Sequence, residues 1–192
     1  IGLVSDAATV YRTHFNELVQ AIEAREAVRN SMATQIDAVI AELEKVQDQA
    51  DSNDGEANYA MTAQERLIQR ARTRAQTYTY STKTEYLAPA LAAVDEARNN
   101  LNNLLRVPPQ AIARLDQSLV TFKAAIGQFR DSEAQNLAAQ AKLADDVNTV
   151  LAASQKISEN QFAERDGDVH RANVLLLSAT LAALVFGILA AW

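Results

Sequence analysis

The chain has 192 residues, with 18 Lys and Arg against 24 Asp and Glu for a formal charge of −6, no cysteine, five glycines and three prolines. So few turn-formers exclude an all-β protein, the missing cysteines exclude a disulfide scaffold or thiolate metal site, and the acidic balance argues against nucleic acid as main partner. Abundant Ala, Leu, Gln, Glu and Arg favour long helices.

The first predicted helical stretch runs from Ser5 to Ala50. Leu18, Ile22, Met32, Ile36, Val39, Leu43 and Val46 recur at spacings built from threes and fours. It ends at Asp51-Ser52-Asn53-Asp54-Gly55, a cluster of turn residues. The second stretch runs from Asn58 to Arg106. Pro89 interrupts it, and TYTYSTKTEY before that proline is rich in β-branched and aromatic residues, so a break or kink is expected between Thr79 and Pro89. Val107-Pro108-Pro109 closes this stretch. The third runs from Gln110 to Arg171 without a proline; Gly127 and Gly167 weaken it without ending it. From Ala172 to Trp192 no residue is charged, and about 20 apolar residues span a bilayer core, so a transmembrane helix is expected there. Ile1-Gly2-Leu3-Val4 leads straight into Ser5-Asp6 without a signal peptide or first span. Both ends read as cut from a longer protein, and charge asymmetry across the C-terminal segment gives no orientation.

At 1.5 Å per residue the third stretch would reach roughly 90 Å and the others roughly 70 Å each. That is too tall for one compact bundle. The expected fold is all-α: long antiparallel helices forming two stacked helical-bundle modules, incomplete at the N-terminal side, with the Pro89 break at their junction. Residues 1–171 would form the helical domain and 172–192 the membrane helix. A weak repeat aligns FNELVQAIEAREA from Phe15 with FKAAIGQFRDSEA from Phe122. As a duplication it implies a broken ascending rod followed by a continuous descending one in each half, the first ascending rod lying upstream of Ile1. The missing rod would leave apolar side chains exposed along a groove in each module.

No catalytic set is present: no Gly-rich phosphate loop, no paired Cys, no HExxH. The chain reads as a non-enzyme without cofactor or metal, His14 and His170 being isolated. The most informative segment is Arg70-Ala71-Arg72-Thr73-Arg74, followed by Gln76, Thr77, Tyr78, Thr79 and Tyr80. Helical spacing puts Ile68, Arg72, Ala75, Gln76 and Thr79 along one side, so Arg72 borders the bundle interior. A guanidinium fork matches a carboxylate bidentately, and nearby amides and hydroxyls can serve its remaining oxygens. The alternative is three solvated arginines paired with Glu65, Glu44 or similar. Counting 1.5 Å per residue from a membrane-side turn near Gly55 brings Gln155 of the opposite rod level with Arg72, giving a candidate site of Arg72, Gln76, Thr79 and Gln155. Arg25 and Arg29 read either as ion-pair partners of Asp131 or Glu133, or as part of an inter-module or ligand site. Arg98, Arg114, Lys123 and Arg130 offer cations that nothing in the sequence ranks.

In order and spacing, YRTHFNELVQAIEAREAVRN, ARTRAQTYTYS, LAAVDEARNNLNNL, AIGQFRDSEAQN and LVFGILAAW resemble the helical bimodular sensor domain of bacterial methyl-accepting chemotaxis receptors. The likeness covers essentially the whole chain. It implies six helices in two stacked four-helix modules, with separate pockets for small organic carboxylates. It also implies a homodimer in the bacterial inner membrane, the helical domain in the periplasm. Beyond Trp192 it implies a cytoplasmic region that engages the chemotaxis kinase and adaptor. The site around Arg72 would belong to the membrane-proximal module. The sequence departs from the family where the first two helices and first span are missing, and at Gln76, where members often carry a further Arg. Two alternatives stay open: the sensor of a transmembrane histidine kinase, and a tail-anchored coiled-coil protein. The break at TYTYSTKTEY and Pro89 counts against the second.

Overall fold

The computed structural model describes residues 2–49 and 54–163, as four helices and no strand among them: α1 (Gly2–Gln49), α2 (Gly55–Ser81), α3 (Leu87–Asn100) and α4 (Pro109–Ala163). Single 3₁₀ turns, Thr84–Tyr86 and Leu101–Asn103, flank α3. The expected membrane helix at 172–192 lies outside the described residues, as do Gly167 and His170. The chain divides into two compact units, one of Glu17–Gln140 and one of Ile1–Asn16 with Ala141–Trp192.

The larger unit is a four-helix bundle whose core follows from spacing. On α2, Ala57, Met61, Gln64, Ile68, Ala71, Ala75 and Tyr78 alternate steps of four and three, and all are buried. The same alternation aligns Met32, Ile36, Val39, Leu43 and Val46 on α1, and Leu115, Leu119, Phe122, Ile126 and Phe129 on α4. Small residues Ala90, Ala93 and Ala97 line α3. All four helices share one hydrophobic core, in which Tyr78 meets Phe129 edge-on, ring centroids 5.6 Å apart.

Asp54 starts α2 by accepting the backbone N–H groups of Glu56 (3.0 Å) and Ala57 (3.2 Å). These bonds, Ala57 first, hold its carboxyl below the usual carboxylate range. Arg106 reaches Asp54 and, at 3.1 Å, Glu56. The α3–α4 connection is thereby tied to the α1–α2 turn, and α4 begins at that same end.

The break after Thr79 is a reversal rather than a kink. Thr82 takes a left-handed conformation (φ 55°) and its N–H donates to Tyr78 O at 2.8 Å, ending α2. Pro89 sits in the first turn of α3, where its missing N–H leaves no helical bond unmade. α3 then runs back along α2: the Gln64 side-chain amide donates to Ala97 O, and Arg70 to Glu96, both at 2.9 Å. This corrects the expectation of one long broken rod. Because α2 and α3 form a hairpin, four helices of a single chain enclose one shared core in this unit.

In the smaller unit the His14 ring lies 2.5 Å from the Asp146 carboxylate, and Tyr11 stacks on Phe15. Val10 is 46% exposed and Leu151 36%.

Candidate ligand-binding site

Within the bundle, α1 and α2 border a cavity of about 270 Å³. Its floor is apolar: Met32, Ile36, Ala75 and Phe122 are all at least nine-tenths buried. Its rim is polar, with Arg29, Asn30 and Asp37 from α1, and Arg72, Gln76, Thr79 and Tyr80 from α2. Apolar floors with a few polar groups at fixed positions characterise small-molecule sites.

Arg72 is half-buried and makes no ion pair or hydrogen bond among the described residues. A guanidinium left unpaired at the edge of an apolar hollow has its donor fork available for an anion. Neither Glu65 nor Glu44 engages it; Arg70, two residues away, pairs instead with Glu96 on the solvent side. Thr79 is buried, and its hydroxyl donates to Ala75 O at 2.8 Å, leaving only lone pairs for a ligand. Gln76 lies one turn from Arg72 on the rim.

Arg29 closes the other end. Its guanidinium is 3.3 Å from Glu26 and lies 5.7 Å from the Tyr80 ring centroid, a cation–π contact joining α1 to α2. The two readings of the Arg25/Arg29 pair thus divide between the residues. Arg29 lines the cavity, whereas Arg25 pairs with Glu133 at 3.4 Å.

Three of the four sequence-predicted residues, Arg72, Gln76 and Thr79, come together on this cavity. Gln155 does not. It lies exposed on α4 in the other unit, and Phe122 is the α4 residue in the cavity wall. The count that levelled Gln155 with Arg72 assumed that α4 descends toward the Gly55 turn. In the bundle α4 starts beside that turn and runs away from it, antiparallel to α1, as Arg114–Glu42 and Glu133–Arg25 show. Asp37 and Asn30 escaped the sequence reading. Their signal was helical: Asn30, Ala33 and Asp37 follow each other at intervals of three and four.

The four unranked cations are all engaged: Arg98 with Asp116 (2.7 Å), Arg114 with Glu42 (3.4 Å), Lys123 with Asp95 (2.6 Å) and Arg130 with Asp131 (2.7 Å). A smaller hollow of about 120 Å³ at the α1–α2 turn borders Arg106, which is already paired. Among the described residues no group of three or more His, Cys, Asp or Glu is arranged to hold a metal.

The sequence pattern of the helical bimodular sensor domain matches residues 3–172. Methyl-accepting chemotaxis protein McpQ of Pseudomonas putida is 32% identical to this chain over 193 aligned positions. That alignment covers 97% of the chain, which spans 30% of the length of this curated relative. The chain belongs to the helical bimodular sensor domain family, a family of chemoreceptor sensors and not of enzymes.

Proposed function

We propose that this chain is the extracytoplasmic sensor domain of a bacterial chemoreceptor and that the cavity between α1 and α2 binds a small organic carboxylate. The observation that carries the ligand reading is Arg72: a half-buried arginine without a partner among the described residues, on a cavity whose floor is apolar and whose rim carries amides. The ligand's carboxylate takes the guanidinium fork, and its carbon skeleton lies on Met32, Ile36 and Phe122. Arg29 is a second cation at the far end for an acid long enough to reach it. Family membership and a methyl-accepting relative favour this reading over a histidine-kinase sensor or a tail-anchored coiled coil.

Signalling follows from differential binding. A ligand that bridges α1 and α2 favours one arrangement of the bundle, and α4, which contributes Phe122 to the cavity wall, runs on in sequence toward the uncharged segment 172–192. That segment is the membrane span, placing the helical domain in the periplasm and a homodimer in the inner membrane. Kinase and adaptor contacts belong to a cytoplasmic region beyond Trp192.

A melting screen of the full chain in detergent against small mono-, di- and tricarboxylates tests the reading. A ligand at 100 times its dissociation constant stabilises the folded state by about 2.7 kcal/mol, enough to raise the midpoint by several degrees. No saturable rise with any carboxylate would contradict it.

A further inference from the structure

We infer that the cavity prefers carboxylates bearing an ammonium group on the adjacent carbon, that is small α-amino acids, and that Asp37 determines this preference. The inference rests on the carboxylate reading of Arg72. Asp37 lines the same cavity from the facing helix and has no ion-pair or hydrogen-bond partner among the described residues. No ion pair joins it to Arg72 across the opening. Arg29 is offset by Glu26 at 3.3 Å. One free cation and one free anion therefore remain, so the lining is close to neutral but polarised.

The complement of such a lining is a zwitterion, its carboxylate on Arg72 and its ammonium on Asp37. Small amino acids carry both charges at neutral pH. A dianion would bring its second carboxylate toward Asp37, a like charge, and lose affinity. Thr79 points the same way. Its hydroxyl proton is spent on Ala75 O, so toward a ligand it can only accept, which suits an N–H group and not a carboxylate oxygen. The cavity's 270 Å³ lies at the small end of ligand sites, fitting a short side chain over Met32 and Phe122.

Calorimetric titration of the full chain with four acids of similar size separates the possibilities: L-alanine, lactate, propionate and succinate. Asp37 is exposed, so alanine is expected to bind up to about fivefold tighter than propionate, the effect of one solvent-screened ion pair. Asp37→Asn, which keeps the side chain's size, should bring alanine to within about twofold of propionate and improve succinate, while Arg72→Ala weakens all that bind. Lactate binding more tightly than alanine would overturn the ammonium assignment. So would propionate or succinate matching alanine, or an unchanged preference in Asp37→Asn; in each case the carboxylate reading stands if Arg72→Ala still weakens binding. No binding of any of the four would overturn the ammonium assignment, and affinities unaffected by Arg72→Ala would overturn both.

Discussion

Asn136 presents an energetic problem that substitution can resolve. It lies on α4 with no exposed surface, and among the described residues neither its amide nitrogen nor its carbonyl oxygen has a hydrogen-bond partner. The neighbouring polar residues are satisfied: Ser132 donates to Phe129 O at 2.8 Å, and Glu133 pairs with Arg25. A buried amide without partners costs about 1–3 kcal/mol. Asn136→Leu removes both unsatisfied atoms, adds apolar burial and keeps the branching and heavy-atom count of the side chain, although overpacking by its bulkier methyl groups offsets part of the gain. The expected net effect is stabilisation by about 1–3 kcal/mol, raising the melting midpoint by roughly 2–4 °C per kcal/mol for a chain of this size. Asn136→Asp should do the opposite, losing about 3 kcal/mol or more at neutral pH by burying an unpaired charge. Urea unfolding followed by far-ultraviolet circular dichroism measures both. The slope should stay constant while the midpoint moves. A loss of more than about 1 kcal/mol in Asn136→Leu, at unchanged slope, would mean that the amide is bonded in the folded protein and that the reasoning fails.

Three further substitutions probe the fold. Gly127 is inside α4, and a methyl group added there meets nothing within 4 Å, so Gly127→Ala should stabilise by about 0.5–1 kcal/mol in the same assay. Thr82 is a β-branched residue held at φ 55°, so Thr82→Gly should relieve strain and stabilise by up to about 1 kcal/mol, despite the greater unfolded-state entropy of glycine. The Glu42 carboxyl is held below its usual range, chiefly by a hydrogen bond from Lys45 at 2.6 Å and secondarily by Arg114, against the opposing effect of burial. Its folded-state value thus lies below the unfolded one. The stabilisation is present at neutral pH, starts to fade as pH falls toward the ordinary value of 4.5, and is gone once pH has dropped through the lowered folded-state value. Glu42→Gln should accordingly flatten the acid limb of a stability–pH profile.

Much of the fold could be read locally. The apolar spacing of Met32, Ile36, Val39, Leu43 and Val46 named a buried stripe, and all five are buried. The acidic turn after Gln49 and the prolines opening α4 marked two connections correctly. The region between Thr79 and Pro89 signalled that a helix ends, but not where the chain goes next. That direction is settled by distant partners, Gln64 with Ala97 and the alanines of α3 against α2, which no local signal encodes. The site shows the same division. Arg72, Gln76 and Thr79 share one face of one helix, so spacing sufficed to group them. Gln155 was placed by a topology that the α2–α3 hairpin reverses. Asp37 stayed hidden because it is an exposed acid, and only the facing helix shows that it shares a cavity with Arg72.

The reading that Arg72 holds a carboxylate in the α1–α2 cavity underlies both proposals. Its most direct test is the affinity of the full chain, by calorimetry, for the tightest acid found in the melting screen, compared among the native protein, Arg72→Ala and Arg72→Lys. A hydrogen bond to a charged group is worth about 1.5–3 kcal/mol, so Arg72→Ala should weaken binding roughly ten- to hundredfold. Arg72→Lys should recover only part of that loss, because an ammonium cannot form the planar fork. Native affinity in Arg72→Ala, with its melting curve intact, would contradict the claim and return Arg72 to the solvated surface of the bundle.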